Sequence, residues 1–429
     1  MNMTHYPRLD EQVWRETLPN GLDVILLPRK GFSRKIAYFV TDFGSIHTDF
    51  AFEGREHHVP AGVAHFLEHK LFDMPGGRDV SAEFASLGAM TNAFTSYDLT
   101  AYYFSCTENF DECLRLLVEF VSTPYFTEES VQKELGIIDQ EIGMTEDAPD
   151  NRVYENLMAA AFSDHPIRVP ILGTRETIRE ITPEILTTCH RAFYTPGNML
   201  LCVVGDVEPE TVTAIAREVL GDEPGEVGRK LRDWKEPESC LRQKVEGAME
   251  VAMPMFSLLF KCPHPGHGEE GIRREITAEL ACELLFGESS ELYQKLYEEG
   301  IIDTSFGGGF EIIDGCAMLM VSGDSDYPEE VRSALIAQAA KLAREGIAKT
   351  DFDRMLRCAL GSRIKGLDNF DSTCFRLCAY HMTDFDYFDF PRIYESITPE
   401  EIQAFLGSCL REDNCALSVI YPTHQEETA

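Results

Sequence analysis

Residues 181–206 read ITPEILTTCHRAFYTPGNMLLCVVGD, and residues 397–422 read ITPEEIQAFLGSCLREDNCALSVIYP. In the first stretch Thr182 suits the N-cap of a helix ending near Tyr194, and 198–205 reads as a buried strand. Ile181 and Ile397 stand 216 residues apart, and so do Asn198 and Asn414. A four-residue identity and a strand start kept in one register read as an internal duplication. Between the copies, residues 221–240, GDEPGEVGRKLRDWKEPESC, are charged and rich in Gly and Pro, as a linker would be. The chain is therefore expected to hold an N-terminal domain at 1–220, a linker at 221–240 and a homologous C-terminal domain at 241–429.

Carried back through the duplication, Leu71-Phe72 faces Leu285-Phe286, and HFLEHKLF at 65–72 faces ELACELLF at 279–286. The segment 61–72, AGVAHFLEHKLF, reads as helix. Four residues advance a helix by about 400°, so His65 and His69 lie one turn apart on one face. Two imidazoles so placed can share one zinc ion, and Glu68 falls beside it. In the sister helix Glu279 replaces His65, Cys282 replaces Glu68 and Glu283 replaces His69. One half of the duplication keeps the chemistry and the other keeps only the helix. Glu134 and Glu141 are seven residues apart on a later helix that Leu135, Ile137, Ile138 and Ile142 mark as core-facing, nearly two turns on one side. Carboxylates beside such an apolar stripe are costly unless a cation satisfies them, and a metal or a metal-bound His would.

Composition narrows the function classes. The net charge is −35, from 73 acidic against 38 basic residues, which argues against nucleic-acid or anionic-membrane partners. No apolar run reaches the roughly 18 residues of a membrane span, and the N-terminus has no signal-like apolar core. Thirteen cysteines, an odd number without C-x-x-C pairs, suit reduced thiols in a cytoplasm; Cys374 and Cys378 read as buried helical neighbours. Two further clusters, His57-His58 and Cys262-x-His264-x-x-His267, have metal-compatible spacing within loops.

An Asn-Gly turn at 20–21 begins a hairpin into the strand at 22–27. Further strands are expected at 35–43, 90–95, 100–106, 256–261 and 317–322. Helices are expected at 80–87, 111–121, from Thr127 onward, and at 154–162, 277–286, 330–345 and 351–366. That is an α+β pattern in both halves.

Taken together, HFLEHKLF, TNAFTSYDLTAYYF, KELGIIDQEIGMTEDAP, HPIRVPILGTRETI and FYTPGNMLLCVVGD resemble the pitrilysin/insulinase family of zinc peptidases. The likeness covers nearly the whole chain and is strongest to half-size bacterial members that pair with a similar subunit. It implies two homologous domains of the mitochondrial-processing-peptidase-like metallohydrolase type, each an antiparallel-rich sheet with helices packed on it. It implies one zinc ion per chain on His65, His69 and Glu141, with Glu134 orienting a ligand and Glu68 as general base toward a zinc-activated water. Asn92-Ala93-Phe94-Thr95 matches an edge strand beside the zinc, whose backbone would bind an extended peptide by strand addition, with Asn92, Ala93 and Phe94 as the substrate-binding residues.

One departure matters. The family places an Arg and a Tyr seven residues apart after an S-S-x-L-Y-x-K-L segment, where they hold the substrate carbonyl. This chain has SSELYQKL at 289–296, but Tyr297 stands where Arg is expected, and no Tyr lies near Thr304. The expected arrangement is thus a two-chain clam-shell in which a homologous subunit supplies that pair, or else a homodimer. The function implied is a zinc metalloendopeptidase acting on peptides. A processing protease for leader segments and a non-catalytic scaffold subunit are the alternatives.

Overall fold

The computed structural model describes residues 1–232 and 234–423. It is two homologous α+β units, and neither is a continuous half of the chain. The first comprises Met1–Ile142, Pro170–Arg232 and Ile364–Asp389; the second comprises Gly143–Val169, Asp233–Arg363 and Phe390–Ala429. Asp233 of the expected linker and residues 424–429 of the expected second domain lie outside the described residues.

In the first unit the apolar runs form a seven-stranded sheet. Its order is Asn2–Tyr6 (β1), Glu11–Thr17 (β2), Asp23–Pro28 (β3), Met199–Gly205 (β11), Lys35–Thr41 (β4), Thr100–Cys106 (β10) and Met90–Thr95 (β9). The Asn-Gly signal is realised in the β2–β3 hairpin, where Gly21 takes φ +92° and its N–H donates to Leu18 O at 2.9 Å. A small sheet of Arg229–Lys230 (β12), Asp49–Phe52 (β5) and Arg55–His58 (β6) and the pair Asp73–Met74 (β7) with Arg78–Asp79 (β8) complete the strands. The helices of this part of the chain are Val63–Lys70 (α1), Val80–Ser86 (α2), Phe110–Ser122 (α3), Glu128–Glu146 (α4), Pro183–Phe193 (α6) and Pro209–Leu220 (α7). Between α4 and α6 lies Pro149–Ala161 (α5), which belongs to the second unit.

The second unit repeats the pattern. Its five-stranded sheet runs Lys244–Met249 (β13), Cys415–Pro422 (β17), Met255–Cys262 (β14), Cys316–Asp324 (β16) and Gly307–Ile313 (β15). β13 is parallel to β17 as β3 is to β11, and every other neighbouring pair is antiparallel in both sets. The topologies of β3-β11-β4-β10-β9 and β13-β17-β14-β16-β15 therefore superimpose strand for strand, as a duplication requires. The remaining helices are Gly268–Phe286 (α8), Glu291–Glu298 (α9), Pro328–Glu345 (α10), Lys349–Lys365 (α11), Phe370–Met382 (α12), Phe390–Ser396 (α13) and Pro399–Cys409 (α14). α8 packs on the edge strand β15 as α1 packs on β9.

The two halves of the sequence exchange one helix each. α5 packs on β14 and β17 of the second unit, and its sister α12 packs on β4 and β11 of the first. On the first sheet, Ala37, Phe39, Tyr102, Phe104, Leu201 and Val203 pack in the core beneath α1, α3, α6 and α7. The alternate residues Ile36, Tyr38, Leu200 and Cys202 are buried on the other face, where α12 supplies Cys374, Leu377 and Cys378. Burying each such side chain contributes about 1.5–3 kcal/mol. All thirteen cysteines are free thiols, and Cys374 Sγ donates to Cys202 O at 3.4 Å.

The stretch 221–240 is tied down at several points. Arg229–Lys230 joins β5, and Glu236 accepts N–H groups from Ser163, Asp164 and His165 together with Lys261 Nζ at 2.5 Å. Those donors hold the Glu236 carboxyl well below its usual range despite its burial, at about 2.

Two tests follow from the exchanged helix and from the turn that sets α1. A fragment of residues 1–232 leaves the α12 face of its sheet uncovered, so it is expected to lack a cooperative thermal transition. Supplying residues 364–389 as a fused segment should restore one, as read by circular dichroism. Gly62, at φ +95°, has Leu172 O only 2.5 Å from where a Cβ would stand, whereas Gly54, at φ +72°, has no neighbour within 4 Å of it. Gly54→Ala should cost about 1 kcal/mol of left-handed strain, and Gly62→Ala more than about 2 kcal/mol, in matched denaturant titrations.

Candidate metal centre

α1 is only eight residues long, too short to persist without tertiary support. Its N-cap Gly62 meets the Leu172–Gly173 backbone, and Gly173, itself at φ +75°, lies against Ala61 O. Val63, Ala64, Phe66 and Leu67 go into the core, which leaves His65, Glu68 and His69 along one flank. α4 brings the second set. Thr127 Oγ1 accepts the Ser130 N–H at 3.1 Å and starts the helix. Val131, Ile138 and Ile142 then anchor its apolar face and set Glu134 and Glu141 beside α1.

The predicted ligands converge. Glu141 Oε2 lies 3.7 Å from His65 Nε2 and 3.5 Å from His69 Nε2. Three donors on a tetrahedral zinc, at bonds of about 2.0–2.1 Å, stand roughly 3.4 Å from one another, so spacing and donor types both fit that ion. Among the described residues His65, His69 and Glu141 form the one group of three or more His, Cys, Asp or Glu side chains with this property. Glu134 Oε1 meets His69 Nδ1 at 2.9 Å, which fixes the imidazole with Nδ1 protonated and Nε2 turned to the ligand cluster. Burial, helped by the neighbouring His69, pushes the His65 pKa down to about 3, so this imidazole is neutral as a ligand must be. For His69 burial works against protonation, but the hydrogen bond to Glu134 and the charges of Glu68, Glu134 and Glu141 raise its pKa overall.

Glu68 is buried, and this raises its carboxyl pKa against the opposing hydrogen bonds from Thr95. Thr95 Oγ1 donates to Glu68 Oε2 at 2.6 Å. The sequence places Thr95 on the edge strand but does not give its hydroxyl a role at Glu68; alternation along β9, two positions beyond Ala93, is the available signal. β9 forms one edge of its sheet, with Asn92 exposed and Ala93 and Phe94 half-buried. Ala93 packs toward the α1 core, while Phe94 points to the opposite face against Tyr103 and Phe375. The strand's backbone, more than the Phe94 ring, is what lies beside the ligand cluster.

The remaining candidates do not assemble. His58 pairs with Asp49 at 2.7 Å, and His264 Nδ1 accepts Gly266 N–H at 3.1 Å. In the sister unit Glu279, the counterpart of His65, is held instead by Arg363 Nη1 at 3.3 Å and Tyr394 OH at 3.4 Å. Tyr297 is an exposed side chain at the end of α9.

Removing a ligand should therefore abolish stoichiometric zinc. His69→Ala and Glu141→Ala are expected to lose it, while Glu134→Gln should weaken zinc affinity by about 10–100-fold without eliminating it. Competition with a chromophoric chelator, checked by elemental analysis, measures both.

The comparisons with known proteins agree with this geometry. The family described as insulinase (peptidase family M16) matches residues 55–175, which contain His65, Glu68, His69, Glu134 and Glu141. The family described as the peptidase M16 inactive domain matches residues 180–357, which contain none of them. The uncharacterized zinc protease YmfH of Bacillus subtilis is 37% identical over 422 residues, 97% of this chain and 98% of its own length. A solved structure from Alicyclobacillus acidocaldarius, described as an M16-like peptidase, is 32% identical with a TM-score of 0.92, over 96% of this chain and 99% of that one. A protease from Helicobacter pylori, 18% identical, shares the fold at a TM-score of 0.83 over 96% of this chain and 100% of its own. With its ligand cluster in the matched region and its length covered nearly end to end, this chain belongs to the M16 (insulinase) family and is a half-size member of it.

Proposed function

We propose that this chain is a zinc-dependent endopeptidase, and that it is the metal-bearing subunit of a two-chain enzyme. The observation that carries the reading is the joint placement of His65, His69 and Glu141 with Glu68 on the same short helix. A zinc ion held by those three residues would polarise a peptide carbonyl and lower the pKa of a water toward about 7. Glu68 takes the proton of the attacking water and returns it to the leaving amine. Its raised pKa, from burial, suits a group that must both accept and release a proton. Glu134 keeps His69 in one tautomer. The open edge of β9 at Asn92 and Ala93 pairs with an extended peptide, which favours unfolded substrates over folded proteins.

One feature of the sequence supports a partner. The Arg and Tyr that would hold the substrate carbonyl are missing after 289–296, and Tyr297 occupies the Arg position. A homologous subunit carrying them completes the oxyanion-binding side. The free thiols support a reducing compartment, the cytoplasm; no helix of the described residues is long and apolar enough to cross a membrane.

Quenched fluorescent peptides test the proposal, with the chain alone and mixed with a homologue that carries the Arg/Tyr pair. Zinc-dependent cleavage stimulated by the homologue is expected, and Glu68→Gln should lose at least about a hundredfold in kcat while keeping its zinc. Equal activity with and without the homologue would remove the partner, and a fully active Glu68→Gln would remove the mechanism.

A further inference from the structure

Glu68 is held from behind by a string of hydroxyl groups that the family motif does not include. Thr95 Oγ1 donates to Glu68 Oε2 at 2.6 Å, the length of a charge-assisted hydroxyl–carboxylate bond. Thr100 Oγ1 lies 3.5 Å from Thr95 Oγ1 and donates its one proton to Phe43 O at 2.9 Å. With that proton committed, Thr95 is left as the donor toward Glu68. Tyr194 hydrogen-bonds the same Thr100, and its hydroxyl meets that of the fully buried Tyr102 at 3.0 Å. Thr95 and Thr100 face each other across the β9–β10 ladder, so the string is built on paired strands.

We infer that Thr95 is a positioning residue for Glu68: its hydroxyl occupies Oε2 and so presents Oε1 to the water. This rests on Glu68 being the general base proposed above. A glutamate side chain has three torsions to fix, and a carboxylate turned away by even about 1 Å forfeits much of its catalytic contribution. Threonine suits the task because its β-branch restricts the torsion that aims the hydroxyl. Thr95 also stands on the strand proposed to take the substrate. The group that aims the base and the backbone that aligns the peptide thus belong to one rigid element.

The full-length chain, with its homologous subunit where activity requires it, provides the test. Thr95→Val keeps the shape and removes the hydroxyl; Thr95→Ser keeps the hydroxyl. Thr95→Val is expected to lower kcat by about tenfold or more, with KM within about twofold and zinc content unchanged, while Thr95→Ser keeps at least about a third of kcat. Thr95→Ala should give the same split if the Val variant does not fold, as judged by its thermal transition. A Val variant with near-normal kcat overturns the inference. So does equal loss in Val and Ser, or loss of zinc in step with activity. Glu68→Gln, run in parallel, separates two failures. If it is inactive while Thr95→Val is fully active, only the role of Thr95 falls; if it is active, the base assignment itself falls.

Discussion

Two imidazoles must stand 3.5–3.7 Å from one carboxylate oxygen, with all three donors within 4.8 Å of one another, carried by helices that are far apart in the chain. Most of the first unit serves that constraint. α1 has too few turns to hold its own geometry, so its place is set by tertiary contacts. These are backbone-to-backbone packing at Gly62 and Gly173, the apolar residues between its polar ones, and the His69–Glu134 bond to α4. A centre of this kind needs its ligands buried enough to exclude competing water, and neutral enough not to repel a cation. His65 meets both demands through burial, while His69 donates its Nδ1–H to Glu134, which leaves Nε2 turned to the cluster.

The sister unit shows what the same scaffold does without a metal. α8 packs against an edge strand as α1 does, but Glu279 has replaced the first histidine and is answered by Arg363 and Tyr394. Both Glu141 and Glu279 are only partly buried, and a carboxylate drawn partly out of water is favoured by a cation or strong donors beside it. In one unit that cation would be a metal ion and in the other it is a guanidinium. The electrostatic demand of the site survived the duplication although its chemistry did not.

The pairs His65/His69 and Glu134/Glu141 were legible because helical periodicity puts each pair on one side of its helix; the separate roles of Glu134 and Glu141 came from the family resemblance. The duplication was legible because Ile-Thr-Pro-Glu and the strand-opening Asn recur in one register. The strands β1, β13 and β15 were not read. β1 and β13 alternate weakly and are largely exposed, and β15 opens on three glycines. The charged composition of 221–240 reads as a solvated linker, yet Glu236 there gathers three backbone N–H groups and Lys261. Charge content reports solubility and says nothing of pairing. The Thr95–Glu68 bond likewise needs the third dimension, since 27 residues separate its partners.

The helix exchange was the least legible feature, and the reason is general. An amphipathic pattern states that a helix has an apolar face; it does not state which sheet that face covers. α5 and α12 occupy equivalent places in the duplicated sequence and cover equivalent sheet faces, but each covers the sheet built by the other half of the sequence. The unit that bears the ligands is therefore incomplete until residues 364–389 are available to it. Every pairing between α12 and β4 or β11 closes a long loop, and such contacts form late because their entropy must be met first. The ligand-bearing face, carrying α1 and α4, is built from residues before 233, whereas the opposite face is covered by α12. The two faces of one sheet are thus completed by different parts of the chain, and the integrity of the centre depends on residues nearly 300 positions beyond it.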